Sequence, residues 1–485
     1  MSEQQVTRAS VGLRSERGPV LLGVMLGTGL VAIDSTILAT AVPALVADLG
    51  GFSQFPWLFS IYLLASAVVT PVCGKLADLV GRRTVVLAGI GVFVLGSVLC
   101  GLAWSMPSLI AFRAVQGLGA GAVQPMTMTI VGDLYSVAER ATVQGYVASV
   151  WAASSVVGPT LGGLFVDLLD WRWIFFVNVP LGALAAWMLA RNLREPARTG
   201  GRRRIDWAGA ALLTVGASLL ILGLLSGGVQ WDWVSAPSLL SLGGGVVALL
   251  ALWVVERRAA EPILPGWAFT RRVLNGTYLS NVGVGVLLIG LTSYLPVFSQ
   301  EVLDTSALAA GFALAALTLG WPISAANAAR LYLRVGFRDT GLVGSVLALA
   351  GTASMLALDV DSSVWQVAAG CFGVGLGLGL IAAPTLIAAQ STVGWEQRGV
   401  VTGVTTFARS MGSALGLAVF GAVVNARVGT AVGGHGAGGT DVAPELLSAG
   451  VHDVLLVSTG VALAMLAAVL VLPRRIDTSS PTPAR

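Results

Sequence analysis

Between Val24 and Gly50 the chain reads VMLGTGLVAIDSTILATAVPALVADLG, and from Gly18 to Ala47 its one charged side chain is Asp34. The 30 residues from 18 to 47, at about 1.5 Å each, exceed the roughly 30 Å of a bilayer's hydrocarbon core, so the stretch reads as a membrane-spanning helix. A carboxylate near the middle of such a helix costs a few kcal/mol or more, and by default it marks a functional site.

The rest of the chain has the same character. Of 485 residues, 55% are hydrophobic and 11% charged, against about 25% charged in a soluble domain. Mean hydropathy is +0.84, and the 62 glycines match the small-residue packing of membrane helices. These features predict an all-α polytopic membrane protein. The net charge of +4 lies in short runs between apolar segments, which is topology information and not a nucleic-acid stripe. Cys73, Cys100 and Cys371 fall in or beside apolar runs and read as core residues, not disulfides. His435 and His452 are too few for a metal site. Arg8, Arg14, Arg17 and Ala39-Thr40-Ala41 imitate a signal peptide, but the apolar run is too long for one and an uncleaved first span is expected.

Fourteen segments are long enough to span, at 19–46, 55–79, 84–104, 107–132, 141–167, 173–190, 207–229, 236–255, 273–300, 306–329, 339–358, 363–391, 399–424 and 453–473. Arginines alternate between the loops as the positive-inside rule requires. One set carries GKLADLVGRR, YSVAERA, ARNLREPARTGGRRR, ERRAAEPILPGWAFTRR, ARLYLRVGFRD and EQRG, whereas the other holds only Arg172 and Arg427. Both termini are therefore expected in the cytoplasm, as a multi-pass protein of a bacterial plasma (inner) membrane. No G-x-x-x-x-G-K-[ST] loop is present, so ATP hydrolysis is not expected, and GVGLGLGLIAAP inside a span reads as helix packing.

The chain repeats itself. GKLADLVGRR after the second span returns as ARLYLRVGFR after the tenth, Gly336 matching Gly81 at an offset of 255. VGPTLGG at 157–163 returns as MGSALGL at 411–417 with an offset of 254. Two parallel six-helix halves separated by an inserted helix pair account for both offsets. The expected organisation is a tail at 1–18, a bundle at 19–190, a basic linker at 191–206, the inserted pair at 207–256, a loop at 257–272, a second bundle at 273–473 and a tail at 474–485.

Four motifs, AIDSTILATAVP (32–43), GKLADLVGRR (74–83), RAVQGLGAG (113–121) and VVGPTLGG (156–163), followed by WRWIFFVNVPLG, carry a family resemblance. The chain resembles the major facilitator superfamily, and within it the fourteen-helix drug:proton antiporters. The resemblance implies the major facilitator fold, no enzymatic activity, no cofactor and a proton gradient as energy source. It implies gating by Gly74, Asp78, Gly81, Arg82 and Arg83, and control of access by Gly158, Pro159, Gly162 and Gly163. The second half departs from the pattern, with Leu333 at the position matching Asp78.

Physical readings stand beside the resemblance. The small, proline-kinked Gly158–Gly163 face is either plain helix packing or the surface that decides which side the cavity opens to. Asp78 is either a solvated interfacial charge or a latch on the positive N-terminus of the span that starts near Gly399. Asp34 and Arg113 each lie about 9 Å below the same membrane edge. They form either a static ion pair or a proton site, in which the carboxylate alternates between Arg113 and a proton. Arg409 is the third charge deep in a span. Phe59, Tyr62, Phe298 and Trp321, with Gln116 and Asn327, are candidates to line a cavity, whereas Trp57 and Tyr294 fit the membrane interface equally well.

The leading expectation is a proton-coupled exporter of amphipathic, hydrophobic or cationic compounds that works as a monomer by alternating access. Its partners are protons, a small molecule and the bilayer, without nucleic acid. The alternative is a dedicated exporter of one natural product or lipid, neutral or anionic. A membrane sensor or enzyme is disfavoured by the lack of a soluble domain or a catalytic constellation.

Overall fold

The computed structural model describes residues 11–50, 54, 56–195, 206–227, 231–259, 261–305, 307–432 and 444–473. Most of both tails, most of the basic linker and the Gly-rich loop at 433–443 lie outside these residues, and so do the expectations that fall on them.

Apolar runs broken by Gly, Pro and Arg fold into helices in chain order. They are α1 (Gly18–Leu49), α2 (Pro56–Val80), α3 (Arg82–Gly101), α4 (Met106–Leu134), α5 (Val137–Leu168) and α6 (Asn178–Asn192), the last entered through a single turn at Trp173–Phe176. The inserted pair is α7 (Trp207–Ser226) and α8 (Ala236–Glu256). The second set is α9 (Arg272–Glu301), α10 (Ala307–Val335), α11 (Phe337–Met355), α12 (Val364–Ser391), α13 (Arg398–Val432) and α14 (Pro444–Leu470). Among the described residues there is no β-strand, only an isolated bridge between Gly227 and Trp231.

Twelve of these helices are long and apolar enough to cross a membrane. The expected fourteen segments are therefore present as helices, but apolar length singles out twelve of them. α4 and α11 are not in that set. α4 carries Arg113, Gln116, Thr127 and Thr129, all buried, and α11 opens with Arg338 and Asp339. Hydropathy undercounts a helix whose polar groups face other helices instead of lipid. Large apolar residues left bare, such as Leu240 at 74%, Phe312 at 69% and Val156 at 68% exposure, mark a surface made for hydrocarbon.

Packing follows the repeat. α1 lies against α5 and α6, α2 and α3 against α4, α9 against α13 and α14, and α10 and α11 against α12. Gly158 and Gly162 of α5 face Thr36 and Thr40 of α1, and their repeat partners Gly412 and Gly416 face Val282 and Val286 of α9. The loop glycines match too. Gly81 and Gly336 both take positive φ, 110° and 93°, a backbone that side chains disfavour and that starts the next helix at once.

The two sets meet along α2–α13 and α5–α10. The inserted pair covers only the first seam: Ala217 and Ile221 of α7 pack with Ala67 and Val68 of α2 and Ala414 of α13. Lys75 of α2 pairs with Glu261, just past α8, at 3.0 Å. At the N-terminus Arg17 pairs with Glu139 at 2.7 Å. Burial raises the Glu139 carboxyl, but the hydrogen bonds from Arg17 and Ser136 outweigh it and the net shift is downward.

Candidate functional site

Two polar clusters lie within this apolar framework. The first is built around Asp34, which is 1% exposed. Arg113 of α4, two turns into its helix, donates through Nη1 to Asp34 Oδ2 at 2.7 Å. Gln116, one turn further on the same face, donates from Nε2 to Asp34 Oδ1 at 2.7 Å and accepts from Arg113 at 2.6 Å. Asn178, at the start of α6, donates to Asp34 Oδ1 at 3.1 Å. Ser97 of α3 accepts from both Gln116 and Asn178. The Arg113 guanidinium also reaches the Leu58 carbonyl at 3.2 Å and lies 4.3 Å from the Tyr62 ring centre.

Residues of five helices, α1, α2, α3, α4 and α6, thus form one cluster around the carboxylate, which α4 and α6 bond directly. A buried ion pair held by excess hydrogen bonds is stable while complete and strongly destabilised when one partner is lost. Chemically, the cluster can hold one negative charge, and it can release Arg113 if that charge is cancelled by a proton.

The second cluster lies at the far end of α2. Asp78, 3% exposed, accepts from the Gly399 and Val400 amides at 3.0 and 2.8 Å. It therefore caps α13 from the opposite half, where the helix dipole favours an anion. This burial excludes the reading of Asp78 as a solvated charge. Arg82 donates to Asp78 at 2.7 Å and to Asp133 of α4 at 3.0 Å, and Arg398 donates to the other Asp133 oxygen at 3.1 Å. Two aspartates and two arginines close a neutral chain across the seam, with Arg82 also bonded to the Trp395 carbonyl and 3.8 Å from its ring centre. Cβ atoms at Gly74 or Gly399 would meet the other's carbonyl oxygen, so the contact is backbone on backbone.

Several expected residues sit elsewhere. Arg83 is exposed and bonds Ala190, while its amide bonds Glu195, so it anchors α3 to the segment around α6 and does not cross the seam. Gly163 has nothing within 4 Å, unlike Gly158 and Gly162. Helical spacing turns it about 100° away from Gly162, so it is not part of the packed face. The Pro159 side chain lies outside the described ones. Phe298 is 1% exposed inside the apolar core of the second half and lines no cavity. Tyr62 and Gln116 belong to the Asp34 cluster. Phe59 and Trp321 pack against cores as partly buried residues. Asn327 is exposed and bonded within its own helix and to Arg330.

Sequence reading missed Asn178, Ser97, Asp133, Trp395 and Arg398. Asn178 and Ser97 carried a usable signal, being polar residues in otherwise apolar spans. Asp133, Trp395 and Arg398 had none, because their partners lie in other segments with no spacing rule between them.

A family model described as Major Facilitator Superfamily matches residues 24–417. The chain is 35% identical over 420 residues to the multidrug transporter protein MdtP of Bacillus subtilis, covering 86% of this chain and 77% of that protein. It is also 35% identical to multidrug resistance protein 3 of the same organism, covering 83% and 79%. Among solved structures, the human organic anion transporter MFSD10 has the same fold at TM-score 0.67 and 16% identity, covering 94% of this chain and 99% of that one. The chain is therefore a multi-pass membrane protein that belongs to the Major Facilitator Superfamily and groups with its multidrug-exporter-like members.

Proposed function

We propose that the protein is a proton-coupled exporter of amphipathic small molecules that works by alternating access in a bacterial plasma membrane. The observation that carries the reading is the buried Asp34–Arg113 pair, bound by α1, α4 and α6 at once. Asp34 takes a proton, its bond to Arg113 weakens, and α1 shifts against α4 and α6. Thr36, two residues on, bonds the Ser154 carbonyl and fills the space beside Gly158 of α5. Movement of α1 thus reaches α5, which packs across the seam on α10. The names of the Bacillus relatives support export of several compounds.

The inter-half bonds around Asp78, Asp133 and Tyr332 all lie at one end of the helices. With both termini in the cytoplasm, that end is the cytoplasmic one and the closed gate is the inner gate. The test is uptake of rhodamine 6G into inverted membrane vesicles. Accumulation is expected to rise with an imposed pH gradient and to collapse on adding a protonophore. Accumulation indifferent to the gradient would overturn the coupling.

Orientation has its own check. The three native cysteines are buried, so the background to thiol labelling is low. Cysteine at Asp361, exposed beyond α11, is expected to react with an impermeant maleimide added to intact cells, and cysteine at Arg258, exposed beyond α8, is not. The reverse pattern would invert the protein and remove the exporter reading.

One observation favours a second reading, a dedicated exporter of a neutral or anionic product. Arg409 adds a deep positive charge that the Asp34 cluster does not balance.

A further inference from the structure

Arg409 stands eleven residues from the start of α13 at Arg398, or about 16 Å along a helix of 1.5 Å rise, near the middle of a bilayer core. Three sectors of α13 are accounted for. Gly403 meets Pro71 and Gly74 of α2, and Phe407, Met411 and Ala414 join the cluster of α2 and α7. Gly412 and Gly416 meet α9, and Leu415 and Val419 are exposed. The remaining sector carries Thr402, Thr406, Arg409 and Ser413, spaced by four, three and four residues, the period of one helix face. Its direction is marked at both ends: Thr402 accepts from Gln390 of α12, and Ser413 donates to the Gly285 carbonyl of α9. Arg409 lies between these two, half-buried and with its carbonyl against Gly285 of α9, on a polar stripe at the α9–α12 side of α13.

The buried anions of the helices are already matched. Among the described residues the buried acidic side chains are Asp34 and Asp78, paired with Arg113 and Arg82, and the part-buried Asp133 is paired with Arg82 and Arg398. Among the described residues Arg409 makes no salt bridge or side-chain hydrogen bond. An interior cation without an anion is costly in a membrane, and function is its default explanation.

We propose that Arg409 is the docking point for an acidic group of the transported compound, a carboxylate or another single negative charge on an amphipathic body. The word transported rests on the exporter reading; the binding site itself does not. Guanidinium binds carboxylate through two parallel hydrogen bonds, so the site separates an acid from its own ester.

The test uses dansyl-leucine and its methyl ester, whose fluorescence reports equilibrium binding to the purified full chain in lipid-free detergent. The wild type is expected to bind the acid about tenfold more tightly than the ester, the discrimination of a charge-assisted hydrogen bond held away from water. Arg409→Gln should erase that preference while leaving ester binding unchanged, and Arg409→Lys should retain part of it. Equal binding of acid and ester by the wild type, or failure to bind the acid, overturns the proposal even if a variant does not fold. So does a preference that survives Arg409→Gln. Proton-driven rhodamine 6G uptake, measured separately, tests the exporter reading, so either idea can fail without the other.

Discussion

Asp34→Asn is expected to abolish uphill transport while sparing the fold. One proton exchanged across a difference of about one pH unit supplies about 1.4 kcal/mol, which concentrates an electroneutrally exchanged monovalent cation about tenfold. In inverted vesicles the wild type should approach that ratio for rhodamine 6G, and Asp34→Asn should stay at the level of vesicles without a gradient. Downhill exchange should persist, because the cavity and gates remain. The substitution leaves Arg113 without its anion, and stripping one partner from a buried pair costs about 3–5 kcal/mol. Arg113 keeps its bonds to Leu58 and Gln116 and its place beside the Tyr62 ring, which offsets part of that cost. The double variant Asp34→Asn with Arg113→Gln removes the charge imbalance altogether. It should be at least as stable as the single variant and equally unable to drive uptake. Gradient-driven accumulation in either variant would make the carboxylate structural and move the coupling group elsewhere.

The second large effect concerns Gly74. A side chain there would strike the Gly399 carbonyl, with the Gly403 Cα at 3.2 Å, and neither atom can rotate away. Overpacking costs about 1–3 kcal/mol, so Gly74→Val is expected to lower the ratio of closed to open inner gate by about one to two orders of magnitude. Spin labels at Thr84 and Arg334, exposed at that end of opposite halves, should show the longer distance gaining population. Asp78→Asn should push the same way, since it leaves Arg82 and two α13 amides short of an anion. Gly163→Ala is the contrast: nothing lies within 4 Å of its added carbon, and both distances and transport should be unchanged. An unaltered distance distribution in Gly74→Val would mean that this crossing does not set the gate.

Much of this is legible in the amino-acid sequence. Helix after helix follows from apolar length, and the two halves follow from repeated glycines whose packing partners turn out to correspond. Asp34 and Arg113 were matched by depth alone, and the structure brings them to 2.7 Å. What was hidden is sideways. Depth along a helix can be counted, but which face meets which neighbour depends on rotation and tilt. Hence the sequence groups Gly163 with Gly162, offers Phe298 as a cavity residue although it sits in the core, and counts Arg83 with the gate although it bonds within its own half. The chain of Asp78, Arg82, Asp133 and Arg398 joins four helices, and only half of it falls in a single motif.

The inserted hairpin makes the molecule unequal on its two flanks. The repeat alone would give two matching seams, α2–α13 and α5–α10, each open to lipid. With α7 laid over the first, one flank is a wall two helices thick and the other a single pair. On the exporter reading, a compound dissolved in the bilayer would meet a thicker flank at α2–α13 and a thinner one at α5–α10. In the alternating-access cycle proposed above the two halves move against each other, so α7, which touches both, would have to shift on one of them. Ala217, Ala67 and Ala414 are the small side chains at that contact.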